Sequence, residues 1–376
     1  MTIDEIAKTN GQEGIVPVSQ ELDWLINLFK RAKEKRASDL HLRVPSPPVL
    51  RIDGEVVPQQ DLPDLTSADI KDAFSHITTP EQKEAFDREL ELDFFVDIPG
   101  LSRFRVNALR QRGSISLAFR IVPLEVPSID GLGLPPILKE LAVKRRGLIL
   151  ITGPTGGGKT TTLAAMVNHL NENCQRNIVT IEDPIEYAHR NKKSLIAQRN
   201  LGADTKSFSV ALKHALRHDV DTIVVGEIRD PDTINAAIMA AETGHTVFGT
   251  VHTVDAIRSI DRVVDICPAE QRRQLRFQLS NAIEAILSQM LLPRIGGGQV
   301  AAFEIVIANG AVRDIIREER TAELPRHIDL SSRDEGMQTM DQALAELVRN
   351  GVVLRREALA RSSNPHQLIR LLRDAD

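Results

Sequence analysis

The sequence contains few cysteines, few aromatic residues and little excess charge of either sign. Cys174 and Cys267 are its two cysteines, and their wide separation, without a CxxC pair, argues against a disulfide framework and against a zinc site. Aromatic residues make up 3% of the 376 residues, with Trp24 and Tyr187 as the single members of their types, so stacking platforms for single-stranded nucleic acid are not expected. A formal net charge of −5 gives no general attraction to nucleic acid either.

Segments that would insert into a membrane are not recognisable in the sequence. No apolar run approaches the ~20 residues of a membrane span. The acidic start Met1-Thr-Ile-Asp-Glu lacks the basic and apolar regions of a signal peptide. We therefore expect a cytoplasmic chain without direct membrane insertion, and no nucleic acid among its partners.

The segment Gly153–Thr160 is the most specific motif in the sequence. It matches the phosphate-binding loop G-x-x-x-x-G-K-[ST] and lies between an apolar, strand-like run and a stretch with helical spacing. Glycines let backbone N–H groups turn towards a phosphate, Lys159 can reach the β- and γ-phosphates, and the Thr160 hydroxyl can ligate Mg²⁺. The sequence therefore predicts a nucleoside triphosphate site. The predicted binding residues are Gly153, Pro154, Thr155, Gly156, Gly157, Gly158, Lys159, Thr160 and Thr161.

Two domains are expected, because single cores usually stop growing at about 250 to 300 residues. Residues 1–20 are polar and turn-rich and predict a mobile lead-in. Residues 21–123 combine an amphipathic helix with short β-like runs, which indicates a small α+β domain. Closely spaced prolines predict a linker over 124–137, and residues 138–376 form the predicted second domain.

The second domain alternates apolar strands with helices, which predicts an α/β fold with a parallel sheet, helices on both faces and ligands at the carboxyl ends of the strands. The predicted strands are Leu148–Thr152, Ile178–Ile181, Thr222–Val225 and Thr246–Thr250. Apolar residues at helical spacing predict one long helix that stops before Pro293, and a mainly helical tail is expected from Ala311. The residues that mark the long helix are Leu275, Leu279, Ile283, Ile286 and Met290.

Acidic residues follow two of these strands. Glu182 comes at the end of the second strand and Glu227 just after the third. A carboxylate at this edge can orient or deprotonate water, and another can hold the shell of a metal ion. We predict both as catalytic residues and, with Thr160, as residues that hold Mg²⁺, the glutamates through water. Asp183 and Asp230 each precede a proline, so a helix cap is a competing explanation for them.

Two histidines, His245 and His252, flank the strand predicted at Thr246–Thr250. Their imidazole N–H groups could sense a γ-phosphate, although a lone histidine is usually a packed or solvated one. The guanine-recognition motif Asn-Lys-x-Asp is missing, because Asn191-Lys192-Lys193-Ser194 lacks the final acid. A GTPase is therefore disfavoured.

The order of these motifs resembles that of the secretion ATPase superfamily. The loop, Glu182-Asp183-Pro184, Gly226–Asp230 and the His245–Thr253 segment are similar to its Walker A, Asp-box, Walker B and His-box elements. Upstream, Ala37–Leu42 and Pro47–Gly54 resemble the N-terminal PAS-like domain of that superfamily. The resemblance implies a PAS-like α+β domain followed by a RecA-like P-loop domain, and it implies ATP as the nucleotide.

Within that superfamily, the C-terminal region resembles the PilT family of pilus retraction ATPases. Ala311–Glu318 is similar to the family element A-I-R-N-L-I-R-E, and Gly336–Asp341 is similar to the family tail. An ordinary amphipathic helix is the alternative explanation of the first segment. Two departures stand out: Gly157 replaces the usual serine of the loop, and Asp314 replaces an asparagine with a charge.

The family resemblance implies a hexameric ATPase motor that powers type IV pilus retraction and twitching motility. It implies a cytoplasmic protein at the inner membrane face, with a platform protein of the pilus machinery as partner. Segments similar to those with the family's arginine fingers make Arg105, Arg112 and Arg120 candidates, the alternative being the solvated face of a strand. An accessory retraction ATPase, an assembly ATPase for pili or type II secretion, and a nucleotide-gated scaffold without motor activity stay open. The short N-terminus and two cysteines speak against the assembly ATPases.

Overall fold

A computed structural model describes residues 23–52, 54–98, 101–122, 125–331 and 335–373. The chain forms two compact units. The first contains the described residues up to Glu125 together with Glu186–Ala188, and the second contains Val126–Ile185 and the described residues from His189 onward. The predicted lead-in, residues 1–20, lies outside the described residues.

An antiparallel sheet forms the centre of the first unit. Its strands are β1 (Asp39–Leu42), β2 (Val49–Ile52), β3 (Glu55–Pro58), β4 (Glu91–Ile98), β5 (Ser102–Gln111) and β6 (Ser114–Val122). The six strands lie in the order β3-β2-β1-β6-β5-β4. Buried and half-exposed residues alternate along most of β5, as expected for a strand with one face on a core. The core also contains side chains from α1 (Asp23–Glu34), α2 (Ser67–Ile77) and α3 (Pro80–Glu89).

The sequence prediction omits α2, α3 and β3, although both helices begin with a capping box. The Thr66 side chain accepts a hydrogen bond from the Asp69 N–H, and the Asp69 side chain accepts one from the Thr66 N–H. Thr79 and Gln82 do the same at the start of α3, where Pro80 occupies the first turn. A threonine three residues before an acid or amide was therefore the available signal.

A larger sheet forms the centre of the second unit. Its strands are β7 (Gly147–Thr152), β8 (Asn177–Glu182), β9 (Leu195–Asn200), β10 (Thr222–Val225), β11 (Thr246–Val251), β12 (Ile283–Pro293) and β13 (Gln299–Ile307). The order is β13-β12-β7-β11-β10-β8-β9, and every neighbouring pair is parallel except β12 and β13. All residues of β7, β10 and β11 are buried, as in a parallel sheet covered on both faces. The predicted α/β class with a parallel sheet is confirmed.

Helices come before, between and after these strands. They are α4 (Ile137–Ala142), α5 (Lys159–Asn173), α6 (Phe208–Ala215), α7 (Pro231–Glu242), α8 (Ala256–Asp265), α9 (Ala269–Ala282), α10 (Gly310–Arg317), α11 (Leu324–Leu330), α12 (Met340–Arg349), α13 (Arg355–Arg361) and α14 (Pro365–Arg373). The region after β13 is mainly helical, as predicted. Side chains of α12, α13 and α14 form a separate small core with Leu292 and Ala302.

The predicted long helix up to Met290 is wrong. The helix α9 ends at Ala282, and Ile283 begins strand β12, which pairs with β7 on one side and β13 on the other. A short, nearly continuous apolar run does not distinguish a buried strand from a buried helix by its periodicity. The segment is a strand because it lies between β7 and β13, where its backbone N–H and C=O groups form hydrogen bonds on both edges.

The predicted linker is largely part of the second unit. Ile129 and Leu134 are buried in the same core as Leu138 and Ile149. The boundary between the two units therefore lies between Glu125 and Val126, whereas the sequence predicts a linker over 124–137.

Candidate active site

The phosphate-binding loop connects the end of β7 to the start of α5. Gly153, Gly156 and Gly158 have φ angles of 148°, 75° and 81°, which residues with a Cβ atom rarely adopt. Gly158 is the N-cap of α5, so the first turn of the helix follows it directly, with its backbone N–H groups towards the loop. The loop therefore needs its glycines, and it joins a helix N-terminus of the kind that binds phosphate.

The floor of the loop is Gln289 of β12, a residue that the sequence analysis missed. Its backbone oxygen would overlap a Cβ atom at Gly153, and its Nε2 would lie 2.8 Å from a Cβ atom at Gly158. Gln289 is 2% exposed, and its Oε1 accepts a hydrogen bond of 2.8 Å from the Thr162 hydroxyl of α5. Gln289 thus fixes both the loop and the helix after it. The error in assigning β12 hid this role.

Gly157 occupies a tight position in the loop. A Cβ atom there would lie 2.9 Å from the carbonyl oxygen of Pro154, which already accepts the Gly157 N–H at 3.0 Å. A serine would require the turn to open by a few tenths of an ångström. The glycine therefore lets this turn close more tightly than a serine would.

Lys159 lies at the centre of the loop. Its Nζ donates to the carbonyl oxygens of Gly153 at 2.7 Å and of Pro154 at 2.9 Å, and it lies 3.3 Å from Nδ1 of His252. Burial lowers the pKa of Lys159, and the nearby charge of Glu227 opposes that change. The loop carbonyls and Glu227 thus hold a mostly buried ammonium group where the motif places the β- and γ-phosphates.

Glu227 and His252 extend this cluster across the neighbouring strands. The Nε2 of His252 lies 3.3 Å from Oε1 of Glu227, and the Arg229 side chain donates to the same oxygen. Burial alone would raise the pKa of Glu227, but the hydrogen bond from Arg229 and the charges of His252 and Arg229 outweigh it and lower the pKa. An ionised carboxylate, an imidazole and an ammonium group therefore form a chain at the carboxyl edge of β7, β11 and β10.

The two aspartates that had competing explanations differ in the structure. Asp230 is the N-cap of α7: its side chain accepts the Thr233 N–H at 2.8 Å, and Pro231 follows in the first turn. The helix-cap explanation is therefore correct for Asp230. Asp183 precedes a cis peptide bond to Pro184 and begins no helix among the described residues.

Glu182 is the last residue of β8, at the carboxyl edge of the sheet. Its Oε1 accepts hydrogen bonds from the Thr180 hydroxyl at 2.6 Å and from Nε2 of Gln198 at 3.0 Å. The strand order separates β8 from β7 by two strands, or about 14 Å at the usual strand spacing. Glu182 thus shares the edge with the cluster, at a distance from the loop, and its role towards water and metal stays a prediction.

The prediction that His245 senses the γ-phosphate is wrong within one subunit. His245 precedes the first residue of β11, and its backbone oxygen accepts the N–H of Gly147, the first residue of β7. The loop follows the last residue of β7, about 20 Å away along a strand of six residues. The ring Nδ1 of His245 lies 3.0 Å from the Ala240 carbonyl oxygen at the end of α7. His245 therefore has a local, structural partner at the opposite edge of the sheet.

The candidate arginine fingers all belong to the first unit. Arg105 and Arg120 are directly opposite each other on β5 and β6, where two like charges would repel. Arg120 forms a 2.9 Å ion pair with Asp39, and Arg105 lies 3.7 Å from Asp93. Arg112 is exposed and lies in the turn between the strands, with a φ of 49°, rather than on a strand as predicted. Arg105 and Arg120 thus form a basic pair on one face of the sheet, and Arg112 lies at the end of the hairpin that joins their strands.

The segment that resembles the retraction element forms most of α10. Val312, Ile315 and Ile316 are buried in the core of the second unit. The Arg313 guanidinium donates to the Ser280 and Asn281 carbonyl oxygens at 3.0 and 2.6 Å and to Glu284 at 2.7 Å. Arg313 therefore ties α10 to the C-terminal end of α9, where the last carbonyls of a helix need donors.

The charge introduced by Asp314 has a local partner. Its carboxylate forms a 3.0 Å ion pair with Arg317, one turn later on α10. Both side chains are substantially exposed, so this pair contributes little stability. The departure from the family pattern therefore changes the surface of α10 and not its attachment.

The donor set of the site fits a magnesium ion held largely by phosphate and water. Thr160 is the second residue of α5, and Glu227 supplies an ionised carboxylate at the same edge of the sheet. The described residues contain no cluster of three or more acidic, histidine or cysteine side chains that could hold a metal alone. Mg²⁺ keeps several waters and uses few protein ligands at phosphate sites, so the available donors are sufficient.

The fold and the site together define a class. A glycine-rich loop follows the first strand of the second unit's sheet, its lysine lies 3.3 Å from a histidine that follows the neighbouring strand β11, and that histidine lies 3.3 Å from a glutamate that follows β10. This arrangement is that of a P-loop ATPase domain. Residues 22–297 match the family described as "Type II/IV secretion system protein". The chain belongs to that family.

Individual relatives confirm the resemblance to the PilT family. The chain is 44% identical over 341 residues to the "Type IV pilus retractation ATPase PilT" of Pseudomonas aeruginosa, covering 91% of this chain and 98% of that protein. It is 36% identical over 342 residues to the "Type IV pilus ATPase PilU" of the same organism, with 91% and 89% covered. A solved structure of the "Pilus Retraction Motor PilT and Bound ADP" matches with a TM-score of 0.86 and 44% identity, covering 92% of this chain and 99% of that one. Across the described residues, every helix is too short or too polar to cross a bilayer.

Proposed function

We propose that this protein is an ATPase motor that powers type IV pilus retraction and thereby twitching motility. One observation carries the proposal: the 44% identity to a pilus retraction ATPase extends over nearly the whole length of both chains. The geometry of Lys159, Glu227 and His252 is consistent with ATP hydrolysis. The substrates are ATP and water, and the products are ADP and phosphate.

The residues of the cluster have distinct roles in this proposal. Backbone N–H groups of the loop and of α5 bind the β- and γ-phosphates together with Lys159. Thr160 ligates Mg²⁺, which, when bound, neutralises phosphate charge. Glu227 is ionised, so it can accept a proton from the attacking water, and His252 orients Glu227 and contacts the γ-phosphate region. Glu182 would hold water of the metal shell.

A ring of six subunits completes the site in this proposal. Arg105, Arg112 and Arg120 are candidates for groups that a neighbouring subunit brings to the γ-phosphate, where an arginine finger is worth about 10³ to 10⁵ in rate. Two facing guanidinium groups supported by acids on one sheet face suit an anionic ligand. The motor would work in the cytoplasm at the inner membrane face, on a platform protein of the pilus machinery.

Mixed rings test the contribution from a neighbour. Lys159→Ala subunits cannot bind ATP productively, and Arg105→Ala subunits lack one finger, so each homogeneous ring should be inactive. In mixed rings, an intact Arg105 on a Lys159→Ala subunit can serve an intact loop on an Arg105→Ala subunit. Recovery of ATP hydrolysis on mixing supports a finger in trans, whereas no recovery, or an active Arg105→Ala ring, contradicts it. Arg112→Ala and Arg120→Ala are tested in the same way.

An accessory retraction ATPase is the second candidate function, since a PilU protein is 36% identical over a similar length. Complementation of a deletion strain separates the two. A primary motor should restore twitching by itself, and its Lys159→Ala variant should not. Lys213→Ala, an exposed lysine on α6, is the matched control and should restore twitching fully. Twitching that persists in the deletion strain because of another motor, but weakens under load, would favour the accessory role.

A further inference from the structure

A row of polar side chains crosses one face of the sheet at its loop end. Thr152 of β7 pairs in register with Ser288 of β12, which pairs with Glu304 of β13. The Thr152 hydroxyl donates to the Ser288 hydroxyl at 3.0 Å, and both residues are fully buried. Thr152 is also the last residue before the phosphate-binding loop. Glu304 is therefore at the level of the loop, two strands away from it.

Glu304 fastens the start of α8 to the sheet. Its Oε1 accepts the N–H of Ala256, the first residue of the helix, at 2.8 Å. Ser259 donates to the Asp255 carbonyl oxygen at 2.6 Å, and its hydroxyl lies 2.6 Å from that of Thr253. These bonds tie the first turn of α8 to the preceding residues, and Glu304 supplies its attachment to β13.

The start of α8 limits the position of His252. Only three residues separate His252 from Ala256, so the two backbones lie at most about 14 Å apart even when extended. His252 contacts both Lys159 and Glu227. Thr253 follows His252 directly and its hydroxyl lies 2.6 Å from that of Ser259 in α8, so a shift of the first turn of α8 acts on the backbone next to the imidazole.

The C-terminal helices pack against β13, the strand that contains Glu304. Asp341 of α12 is 2% exposed and accepts hydrogen bonds from the hydroxyls of Ser362 and Ser363 and from the Asn364 N–H, at 2.5 to 3.1 Å. The segment with these three donors connects α13 to α14. Asp341 thus joins the three C-terminal helices at a point where its charge acts on Glu304.

Two acids, Asp255 and Asp341, act on Glu304, and each has hydrogen-bond donors of its own. Asp341 has the donors just named, and Asp255 caps α8 by accepting the Arg258 N–H at 2.7 Å. The pKa of Glu304 is raised to about 7, chiefly by burial and also by the charges of Asp255 and Asp341, while the hydrogen bond from Ala256 opposes the rise. Ionised Glu304 therefore accepts a stronger hydrogen bond from the Ala256 N–H and repels Asp341. Protonated Glu304 accepts a weaker hydrogen bond and does not repel Asp341.

We propose that Glu304 is a positioning residue for His252: its carboxylate clamps the first turn of α8 and makes the active site responsive to the placement of α12. The clamp itself is read from the geometry, and its effect on turnover rests on the proposed ATPase function. Ala256 faces Glu304 from α8, Ser288 from β12 and Asp341 from α12, and Asp255 and Asp341 are the charged groups that act on it. The clamp tightens as pH rises through about 7, because ionisation converts a neutral hydrogen bond to a charge-assisted one.

Glu304→Gln tests the clamp, since glutamine keeps the shape and one acceptor but has no charge. The kcat of full-length wild-type protein should exceed that of Glu304→Gln about five-fold at pH 8, as expected when a charge-assisted bond is about 1 kcal/mol stronger. At pH 6 the two should be nearly equal. Asp341→Asn should move the change in this ratio to lower pH. Glu357→Gln, which removes a glutamate charge from an ion pair with Arg361 on α13, should give the same ratio to wild type at both pH values.

Hydrogen exchange of the peptide His252–Ile260 provides a readout that does not need activity. Corrected for intrinsic rates, this peptide should exchange more slowly in wild type than in Glu304→Gln at pH 8 and equally at pH 6. A kcat ratio independent of pH, or equal exchange at both pH values, would overturn the proposal. Slower exchange in wild type at pH 8 without any difference in kcat would support the clamp but overturn the positioning of His252. An inactive wild type would contradict the proposed function. The exchange data would then still test whether Glu304 clamps the His252–Ile260 segment.

Discussion

The contact between Gly158 and Gln289 gives the sharpest test of how the loop is built. In Gly158→Ala the new Cβ atom would lie 2.8 Å from Nε2 of Gln289, with the methyl carbons of Leu291 next at 3.4 Å. Gln289 cannot easily move aside, because it is buried and bonded to Thr162. Alanine at a φ of 81° costs about 1 to 2 kcal/mol, and the overlap adds about 1 to 3 kcal/mol.

A double-mutant cycle isolates the overlap. In a Gln289→Ala background the cost of Gly158→Ala should fall by the overlap term, so that the two changes together cost about 1 to 3 kcal/mol less than their sum. Thermal unfolding of the second unit, at about 2 to 4 °C per kcal/mol, measures each corner. Gly156→Ala is the matched control: its φ is 75°, but a Cβ atom there meets nothing within 4 Å. Its cost should be equal in both backgrounds. Additivity of Gly158→Ala and Gln289→Ala within about 0.5 kcal/mol would refute Gln289 as the floor of the loop.

Three further predictions concern the site, its helices and pH. Glu227→Gln should lower kcat about 10² to 10⁴-fold, because the group that accepts the proton from water is lost, with little change in ADP affinity by titration; an unchanged kcat would contradict the role of Glu227. Arg313→Ala should lower the free energy of unfolding by about 1 to 3 kcal/mol, because it removes the donor to two helix-end carbonyls and one of the two cations that bind Glu284, the other being Lys144, whereas the exposed Arg317→Ala should have less than about 1 kcal/mol of effect. In urea unfolding, the free energy of unfolding of Glu304→Gln should increase relative to that of wild type as pH rises from about 4.5 to 7. The pKa of Glu304 is raised in the folded state, so wild type loses up to about 3 kcal/mol over that interval, and the variant does not; a difference independent of pH would contradict this.

The sequence specified the loop, the strands beside it and the acids after them because each has a local cause. Gly153, Gly156 and Gly158 are required by backbone angles that their own loop imposes. The strands β7, β10 and β11 are buried on both faces and read as apolar runs. His252 directly follows β11, Glu227 comes two residues after the end of β10, and parallel strands bring their carboxyl ends to one edge.

The features that escaped prediction depend on partners distant in the sequence. Gln289 acts beneath the loop only because β12 lies beside β7, which periodicity alone could not show. Glu304 meets Ala256 across 48 residues of chain. His245 was misplaced because a histidine before a strand and one after it look alike in sequence, although they lie at opposite edges of the sheet. For α2 and α3, by contrast, the capping boxes were present and were overlooked.

Live imaging of labelled pili in a deletion strain tests the central claim most directly. If this protein powers retraction, cells that lack it should extend pili and fail to withdraw them, so pili become more numerous and twitching stops. Restoring the wild-type chain should bring back retraction, and restoring Lys159→Ala should not. Cells that lose their pili altogether would instead indicate an assembly ATPase, and cells that retract pili at the normal rate and force would contradict the account.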